Sequence, residues 1–415
     1  MVLRRKYPPG PIPLPFIGNF LQIDLAYPHR SMIKWKKKFG PMFTIWLPGP
    51  VIVLADYKLL RETLLSQGNI FAGRPMSFVY GIFSNHHPDG DGIILSQNEK
   101  WNSQRRFALK VFRDFGVGKN MMEQKIRHYA NTLIQHLRKQ LGANGLLKTA
   151  ITDLNLPITF CVGNIIHDLV LGKNYEYAIF LKHIDEHEKA IITSTSKNDE
   201  PKDFIDAYLK NMINNITLAL SSGDLWTGGM ETTVTTLRWV IIYLIHNPDV
   251  QKLVHDEIDK NLGTRMVCWA DRTIMHYTLA VICEVQRIIN VLPWHIPHST
   301  TCNTTLYGYK IQKGTVIMPQ IGAINFDENL YPNAEIFQPS RFLNNEAFHT
   351  VWYREAIVFG EALARTELFI ILTTLLQNFE FSAAYGKLPS LKRYPGMVSA
   401  PQEYVCQIRA RHKIT

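Results

Sequence analysis

Three short segments of this 415-residue chain combine residue types that could do chemistry together. In the first, Glu231 and Thr232 follow two adjacent glycines, Gly228 and Gly229, inside an apolar stretch with helical spacing. Each glycine costs a helix about 1 kcal/mol relative to alanine, so such a pair indicates a close packing contact, a kink or a site. The segment therefore predicts either a widened helix turn with a proton relay beside it or a plain contact between helices.

The second segment places Trp101 and Arg105 four residues apart, on one face of a predicted helix. An indole N–H beside a guanidinium suits an anionic group such as a carboxylate, because both side chains offer only donors. The alternative interpretation is an ordinary amphipathic helix.

The third segment is a charge pair at helical spacing, Glu284 and Arg287, with apolar residues on both sides. A partly buried pair needs further hydrogen bonds to hold its geometry. Arg341, which follows a proline on a downstream loop, offers a second cation. An Arg–Glu–Arg triad would hold a helix to that loop.

The elements that must position these segments are mostly helices. Apolar residues recur at helical spacing in many windows, whereas β-rich runs are short and lie around the turn at 48–50, over 298–320 and after Phe379. Helices are predicted at about 29–39, 56–67, 100–112, 119–141, 156–169, 204–216, 225–246, 248–262, 277–291 and 361–377. The fold class expected is mainly α with small peripheral β-sheets, in a single large domain.

Composition excludes several classes of protein. The apolar fraction is 46% and the net charge is +10, which excludes a disordered chain and a coiled coil. Five scattered cysteines with no C-x-x-C pair argue against a disulfide scaffold or a zinc ribbon and favour a reducing compartment. The lysine cluster at 34–38 could contact nucleic acid, but no established nucleic-acid-binding motif accompanies it, so no nucleic-acid partner is expected.

Taken in order, these segments resemble the cytochrome P-450 superfamily. In overall sequence character they resemble its animal microsomal members, which oxidise drugs and fatty acids. The similarity covers nearly the whole chain and includes the proline-rich lead-in at 7–19, the segment 308–315 and the helix start at 360–367. It implies a haem-binding monooxygenase, an oxidoreductase of xenobiotic or lipid metabolism. Such an enzyme inserts one oxygen atom from O2 into an apolar small-molecule substrate, with electrons from an NADPH-dependent flavoprotein reductase.

The resemblance also implies roles for residues of this sequence. Glu231 and Thr232 are similar to the family's catalytic acid–alcohol pair, which delivers protons. Trp101, Arg105 and His298 are similar to its cofactor-binding contacts with the haem propionates.

The family's structural triad is matched by Glu284, Arg287 and Arg341. Arg106, Lys110 and Arg113 form one basic stripe on the helix after Trp101. By the resemblance, this stripe and the triad both lie on the proximal side of the haem, where the reductase is expected to dock.

The chain departs from the family at the metal ligand. Counted back from Gly360, the family signature F-x-x-G-x-R-x-C-x-G would place its cysteine at Val358; alternatively, Phe359 and Gly360 are the start of the signature loop, joined directly to the helix. Under either alignment no cysteine is near, because none lies between Cys302 and Cys406. Thiolate is the axial ligand that favours O–O cleavage, and valine cannot bind iron. No metal ligand is therefore assigned, and an impaired enzyme is expected. The alternative is a non-catalytic relic of the fold, or a module that acts by protein contact.

Two further departures concern length and location. The stretches 174–200 and 209–224 are short for the family, so the domain is expected to be truncated in its substrate cover as well as in its haem loop. Residues 1–6 resemble the basic flank of an absent membrane anchor, 7–19 a proline-rich hinge and 20–415 the P-450 domain. The expected location is the cytosolic face of the endoplasmic reticulum membrane by family, with this form soluble or peripheral at the membrane surface.

Overall fold

The N-terminal third is organised around a small sheet. The computed structural model describes residues 4, 6–75, 89–115, 120–142, 147–172, 204, 215–343 and 360–411. Helix α1 (Pro28–Phe39) leads into a hairpin of β1 (Met42–Leu47) and β2 (Gly49–Leu54), as the turn residues predict. The β-branched and apolar residues of β2 alternate between two small hydrophobic clusters, one on each face of the sheet.

Helices then dominate the chain. The longer ones are α3 (Asn98–Asp114), α4 (Asn120–Gln140), α5 (Asn155–Leu171), α6 (Asn215–His246), α7 (Pro248–Asn261), α8 (His276–Ile289) and α10 (Glu361–Asn378). Two are short: α2 (Tyr57–Leu60), which the Asp56 carboxylate caps and which continues as a π-helix over Arg61–Ser66, and α9 (Ile321–Asn325). Pro248 opens α7 at a position where proline is favoured.

The remaining strands are short and peripheral. They are β3 (Thr149–Thr152), β4 (His298–Ser299), β5 (Thr304–Leu306), β6 (Tyr309–Ile311), β7 (Val316–Pro319), β8 (Phe379–Ala383) and β9 (Cys406–Ala410). The first sheet has the order β1-β2-β7-β4, and β2 pairs with β7 in parallel. A second sheet has the antiparallel order β3-β9-β8, and β5 and β6 form a hairpin.

The main hydrophobic core lies between α4, α5, α6, α7, α8 and α10. The predicted fold class, mainly α with small peripheral sheets in one domain, is confirmed. The helix boundary predicted at Leu225 is wrong, because α6 begins at Asn215. Ser221, Ser222 and Gly223 weaken the local helix signal, and contacts made by the fold override it. The helix predicted at 204–216 lies mostly outside the described residues.

Candidate functional site

The glycines of α6 serve two different purposes. A Cβ on Gly229 would lie 2.8 Å from Cδ1 of Ile166 on α5, so this glycine permits close helix packing. A Cβ on Gly228 would meet no atom within 4 Å. Thr227, Gly228 and Glu231 are exposed, although the next residues of α6 are buried. The helix therefore presents one open face just before it enters the core.

The predicted catalytic pair lies at this open face. Glu231 is exposed, and the half-buried Thr232 donates its hydroxyl proton to the carbonyl oxygen of Gly228 at 2.7 Å. One turn later the Thr236 hydroxyl donates to the Thr232 carbonyl oxygen at 2.8 Å. A carboxyl group and an alcohol thus lie on consecutive residues at the open face, and the Thr232 oxygen, which donates to Gly228, can still accept a hydrogen bond from a bound group.

The second predicted pair is formed on α3. The guanidinium carbon of Arg105 lies 5.4 Å from the centre of the Trp101 ring, and both residues are half-buried. Burial lowers the pKa of Arg105, because the charged form loses hydration. A neighbouring anion would offset that cost.

His298 occupies the edge strand β4 of the first sheet. Its Nδ1 atom lies 2.8 Å from the carbonyl oxygen of Phe71. Burial, followed by the positive charge of Arg74, lowers the pKa of His298 to about 3. The ring is therefore neutral in a locally positive environment.

Arg74 connects the segment before α3 with the segment before β4. Its backbone N–H donates to Oε1 of Gln97, just before α3, at 3.0 Å, and its guanidinium donates to the carbonyl oxygen of Pro297 at 3.2 Å. The segment that carries it pairs with β4 through a bridge between Gly73 and Ser299. The sequence analysis missed Arg74, because an isolated arginine in a loop carries no spacing signal. Arg74 and Arg105 each carry guanidinium donors suited to carboxylates, whereas neutral His298 uses its Nδ1–H on Phe71 and presents Nε2 as an acceptor.

The structure also brings the predicted triad together. Glu284 accepts bonds from Nε of Arg287 at 2.7 Å and from Nε of Arg341 at 3.1 Å. It also accepts from Nη2 of Arg287 and from the backbone N–H of Gln338, each at 2.9 Å. Glu284 is fully buried and its two partners nearly so. Each charge has partners, as a buried ion pair requires.

A loop is pinned to α6 by Asp224, to which the sequence assigned no separate role. Its carboxylate accepts backbone N–H bonds from Ile93 at 2.7 Å and from Ile94 at 2.9 Å. Burial raises the pKa of Asp224 to about 6, and the Asp91 carboxylate adds to the rise. The loop therefore bounds one end of the open face.

Glu367 on α10 is a second missed residue. It is fully buried, and one of its oxygens accepts the Thr233 hydroxyl at 3.5 Å. Burial raises the pKa of Glu367 well above its usual range, because the charged form loses hydration. The sequence did contain a signal for this residue, because Glu367 directly precedes the apolar run 368–376.

The segment in which the family's metal ligand is expected is described only from Gly360 onward. α10 begins at Glu361, which pairs with Arg365, whereas Val358 lies outside the described residues. Burial raises the pKa of Cys283 and of Cys406 to about 12, so both are held as thiols. In the described ranges, no group of three His, Cys, Asp or Glu side chains could hold a metal ion.

Comparison with known proteins identifies the family. The family model Cytochrome P450 matches residues 8–179 and 177–408. The chain belongs to the cytochrome P450 family. Cytochrome P450 2C29 of Mus musculus is 34% identical over 447 residues, covering 92% of this chain and 89% of that protein. The 3-ketosteroid oxygenase of Caenorhabditis elegans is 31% identical over 457 residues, covering 95% of this chain and 79% of that protein. Cytochrome P450 2C8 of Homo sapiens is 32% identical over 475 residues, covering 98% of this chain and 94% of that protein.

This result confirms the predicted resemblance to the animal microsomal cytochromes P450, which are haem-dependent monooxygenases. Two features of the described residues are compatible with haem. Arg74 and Arg105 carry donors suited to propionates, and the absence of a side chain at Gly228 leaves room over α6. They do not supply the thiolate ligand.

Proposed function

We propose that this chain is a haem monooxygenase by descent whose oxygen activation is impaired. The observation that carries the proposal is the absence of cysteine between Cys302 and Cys406, where the family ligand would align with Val358. The high pKa of Cys283 and Cys406 supports it, because neither thiol readily becomes a thiolate at neutral pH.

The test is spectroscopic. The full chain is expressed with haem supplied, reduced and exposed to carbon monoxide, and bound haem is counted separately after extraction. We expect substoichiometric haem and no thiolate-type red shift of the Soret band. A full thiolate-type band in the wild-type chain would refute the proposal, and cysteine-to-serine variants would then identify the ligand.

When bound, haem supplies the oxygen chemistry of the family. We propose that Trp101 and Arg105 hold its propionates by N–H and charge-assisted hydrogen bonds. His298, whose Nδ1 donates to Phe71, would join them through Nε2 once the negative charge of a propionate raises its pKa enough to protonate the ring. Glu231 and Thr232 would hold a proton at the open face of α6 and pass it toward the bound group. The triad of Glu284 with its two arginines would act structurally, by fixing α8 to the loop before Arg341.

The alternative is a non-catalytic protein that keeps the fold. The complete hydrogen bonding of the buried triad favours a folded chain whether or not haem binds. Haem content separates the alternatives: specifically bound haem, even below one per chain, supports a cofactor-binding protein, whereas a stable, cooperatively unfolding chain without haem supports the relic.

Segments that are missing relative to the family support the proposal that oxygen activation is impaired. The family model matches in two pieces that meet at 177–179, inside the stretch that is short for the family. The alignment with the mouse relative spans 447 residues, more than the 415 of this chain, so that relative has residues without a counterpart here. We propose lost coding segments near 174–200 and 351–361. Transcript sequencing across both tests this: a transcript that encodes no more than the 415 residues supports the loss, whereas one that encodes a further loop with a cysteine near 351–361 would refute the impairment.

The substrate class proposed is an apolar organic compound. One relative is named a 3-ketosteroid oxygenase, which gives a steroid-sized molecule as a reasonable probe.

We also propose attachment to the cytosolic face of the endoplasmic reticulum membrane. Ahead of α1, several large apolar side chains are exposed, among them Ile12 at 73%, Phe16 at 97% and Leu21 at 72%. Exposed cations follow on α1, and together these features suit an anionic lipid surface. No described helix is long and apolar enough to span a bilayer.

Vesicle flotation tests the membrane proposal. We expect the wild-type chain to float with vesicles that contain phosphatidylserine and the triple variant Ile12→Ser, Phe16→Ser, Leu21→Ser to float much less. Equal flotation of the two chains in high salt would contradict insertion of this patch.

The reductase is proposed to dock on the exposed stripe of Arg106, Lys110 and Arg113 on α3. Charge reversal of these three residues should weaken reductase binding at low salt, because electrostatic association depends on ionic strength. Reversal of the exposed Arg409 on β9 is the matched control. Binding that is unchanged by the triple reversal would contradict this docking face.

A further inference from the structure

A single charged residue, Arg238, interrupts the stretch of α6 between Glu231 and His246. Its neighbours on both sides are buried in the main core, and Arg238 itself is only 8% exposed. Arginine does not become neutral in a protein, so its positive charge stays where water has little access. Burying a charge is costly unless the charge is paired and its N–H groups find acceptors.

The guanidinium of Arg238 has neither kind of partner among the described residues. Its Nε atom is enclosed without an acceptor, and no described carboxylate forms an ion pair with it. The guanidinium carbon lies 5.9 Å from the centre of the Tyr404 ring, and the Tyr404 hydroxyl donates to the carbonyl oxygen of Arg238 at 3.1 Å. A ring face attracts the cation, but it cannot accept the five N–H bonds that a guanidinium offers.

Two other deeply buried arginines show what such a side chain requires. Arg287 binds the Glu284 carboxylate through Nε and Nη2 and donates to a backbone carbonyl oxygen at 2.7 Å. Arg393 donates to two carbonyl oxygens at the C-terminal end of α8, at 2.6 and 2.8 Å, where the helix carries partial negative charge. Arg238 is buried to the same degree without an equivalent of either arrangement in the described part of the chain.

The Asp153 carboxylate does not supply the missing charge. Burial, followed by Cys406, raises the pKa of Tyr404 well above its usual range, while Arg238 lowers it and Asp153 adds to the rise. Asp153 is exposed, and its carboxylate accepts the backbone N–H of Asn155 at 2.8 Å, at the start of α5. The described charges around Tyr404 therefore leave one buried positive charge unpaired.

We propose that Arg238 forms the base of a binding site for a small monovalent anion, either chloride or a carboxylate the size of formate. Such an ion supplies both the negative charge and the acceptors that the guanidinium lacks, whereas water supplies acceptors alone. The low exposure of Arg238 admits only a small ion. Arg238 lies about 10 Å along α6 from Glu231, so the inference does not depend on the proposed function.

The experiment measures the free energy of unfolding of the full chain in urea. Ionic strength is held constant while chloride or formate replaces gluconate, an anion too large for the site. Above the dissociation constant, each tenfold rise in chloride should raise the folded-to-unfolded ratio of the wild type about tenfold, because only the folded chain binds the ion. Arg238→Met removes the charge and should show no such rise. Arg409→Met, at an exposed arginine, is the matched control and should respond as the wild type does.

The two anions identify the ligand. A larger response to formate than to chloride supports the inference with a carboxylate as the ligand, and the reverse supports it with a halide. An equal chloride response of the wild type and Arg238→Met would overturn the inference, because the ion would then act elsewhere. A wild type that responds to neither anion would also overturn it and leave water as the partner of the guanidinium.

A second measurement serves if circular dichroism shows that Arg238→Met does not fold. Arg238→Lys keeps the charge but offers three donors in place of five. The chlorine NMR line of chloride should be broader with the folded wild type than with Arg238→Lys, and added formate should narrow it. Equal line widths with the two chains would refute the inference.

Discussion

Substitution of Glu284 by glutamine should be among the most damaging single changes of a side chain in this protein. Glu284 accepts four hydrogen bonds, three of them from two arginines, and it is 0% exposed. Arg287 and Arg341 are only 3% and 9% exposed, so water cannot replace the lost charge. Breaking a buried ion pair by removing one partner costs about 3–5 kcal/mol.

The free energy of unfolding measured in urea, by circular dichroism and tryptophan fluorescence, gives the assay. A loss of about 3–5 kcal/mol is a large share of the 5–15 kcal/mol typical of a domain, so Glu284→Gln should unfold at much lower urea. Arg341→Lys serves as a milder second variant, because it keeps the charge and loses the bonds to the carbonyl oxygens of Pro332 and Ile336.

Glu380→Gln is the matched control. Glu380 pairs with Arg409 on neighbouring strands, but the two side chains are 38% and 59% exposed. An exposed pair contributes about 0–1 kcal/mol, so the same chemical change should be nearly silent there. Equal losses at positions 284 and 380, or a loss below about 1 kcal/mol at 284, would refute the claim that burial makes the triad important.

Three further predictions use the same measurement. Gly228→Ala should raise the free energy of unfolding by about 1 kcal/mol, because the new methyl group meets no atom and alanine favours helix; a loss of stability would show that the face is not open. Asp224 has its pKa raised by burial to about 6 from 3.8, so its folded state binds a proton more tightly. Wild type should therefore lose about 2–3 kcal/mol relative to Asp224→Asn as pH rises from 4 to 6, and a pH-independent difference would contradict this. His29, stacked on Phe326, has its pKa lowered to about 3 from 6.5 by burial, by Arg393 and by Arg30. Wild type should lose about 2–3 kcal/mol relative to His29→Phe as pH falls from 6.5 to 4.5, and parallel pH profiles would be the contrary result.

The sequence by itself determined most helices and the local pairs. Apolar spacing gave α1, α4, α5, α7, α8 and α10 to within a few residues. The pairs Glu284 with Arg287 and Trp101 with Arg105 each lie within one helix, so helical geometry alone places their side chains on one face. The absence of a cysteine between Cys302 and Cys406 also follows from the sequence without any structure.

Only the tertiary structure decided contacts between distant parts of the chain. Arg74 reaches Pro297, and Glu367 meets Thr233, through the packing of elements that no local spacing relates. The early start of α6 has the same cause, because Asp224 gains bonds to a loop that precedes it by more than a hundred residues. Periodicity reports which residues share a face of one element, whereas the partner of that face depends on how all elements pack together.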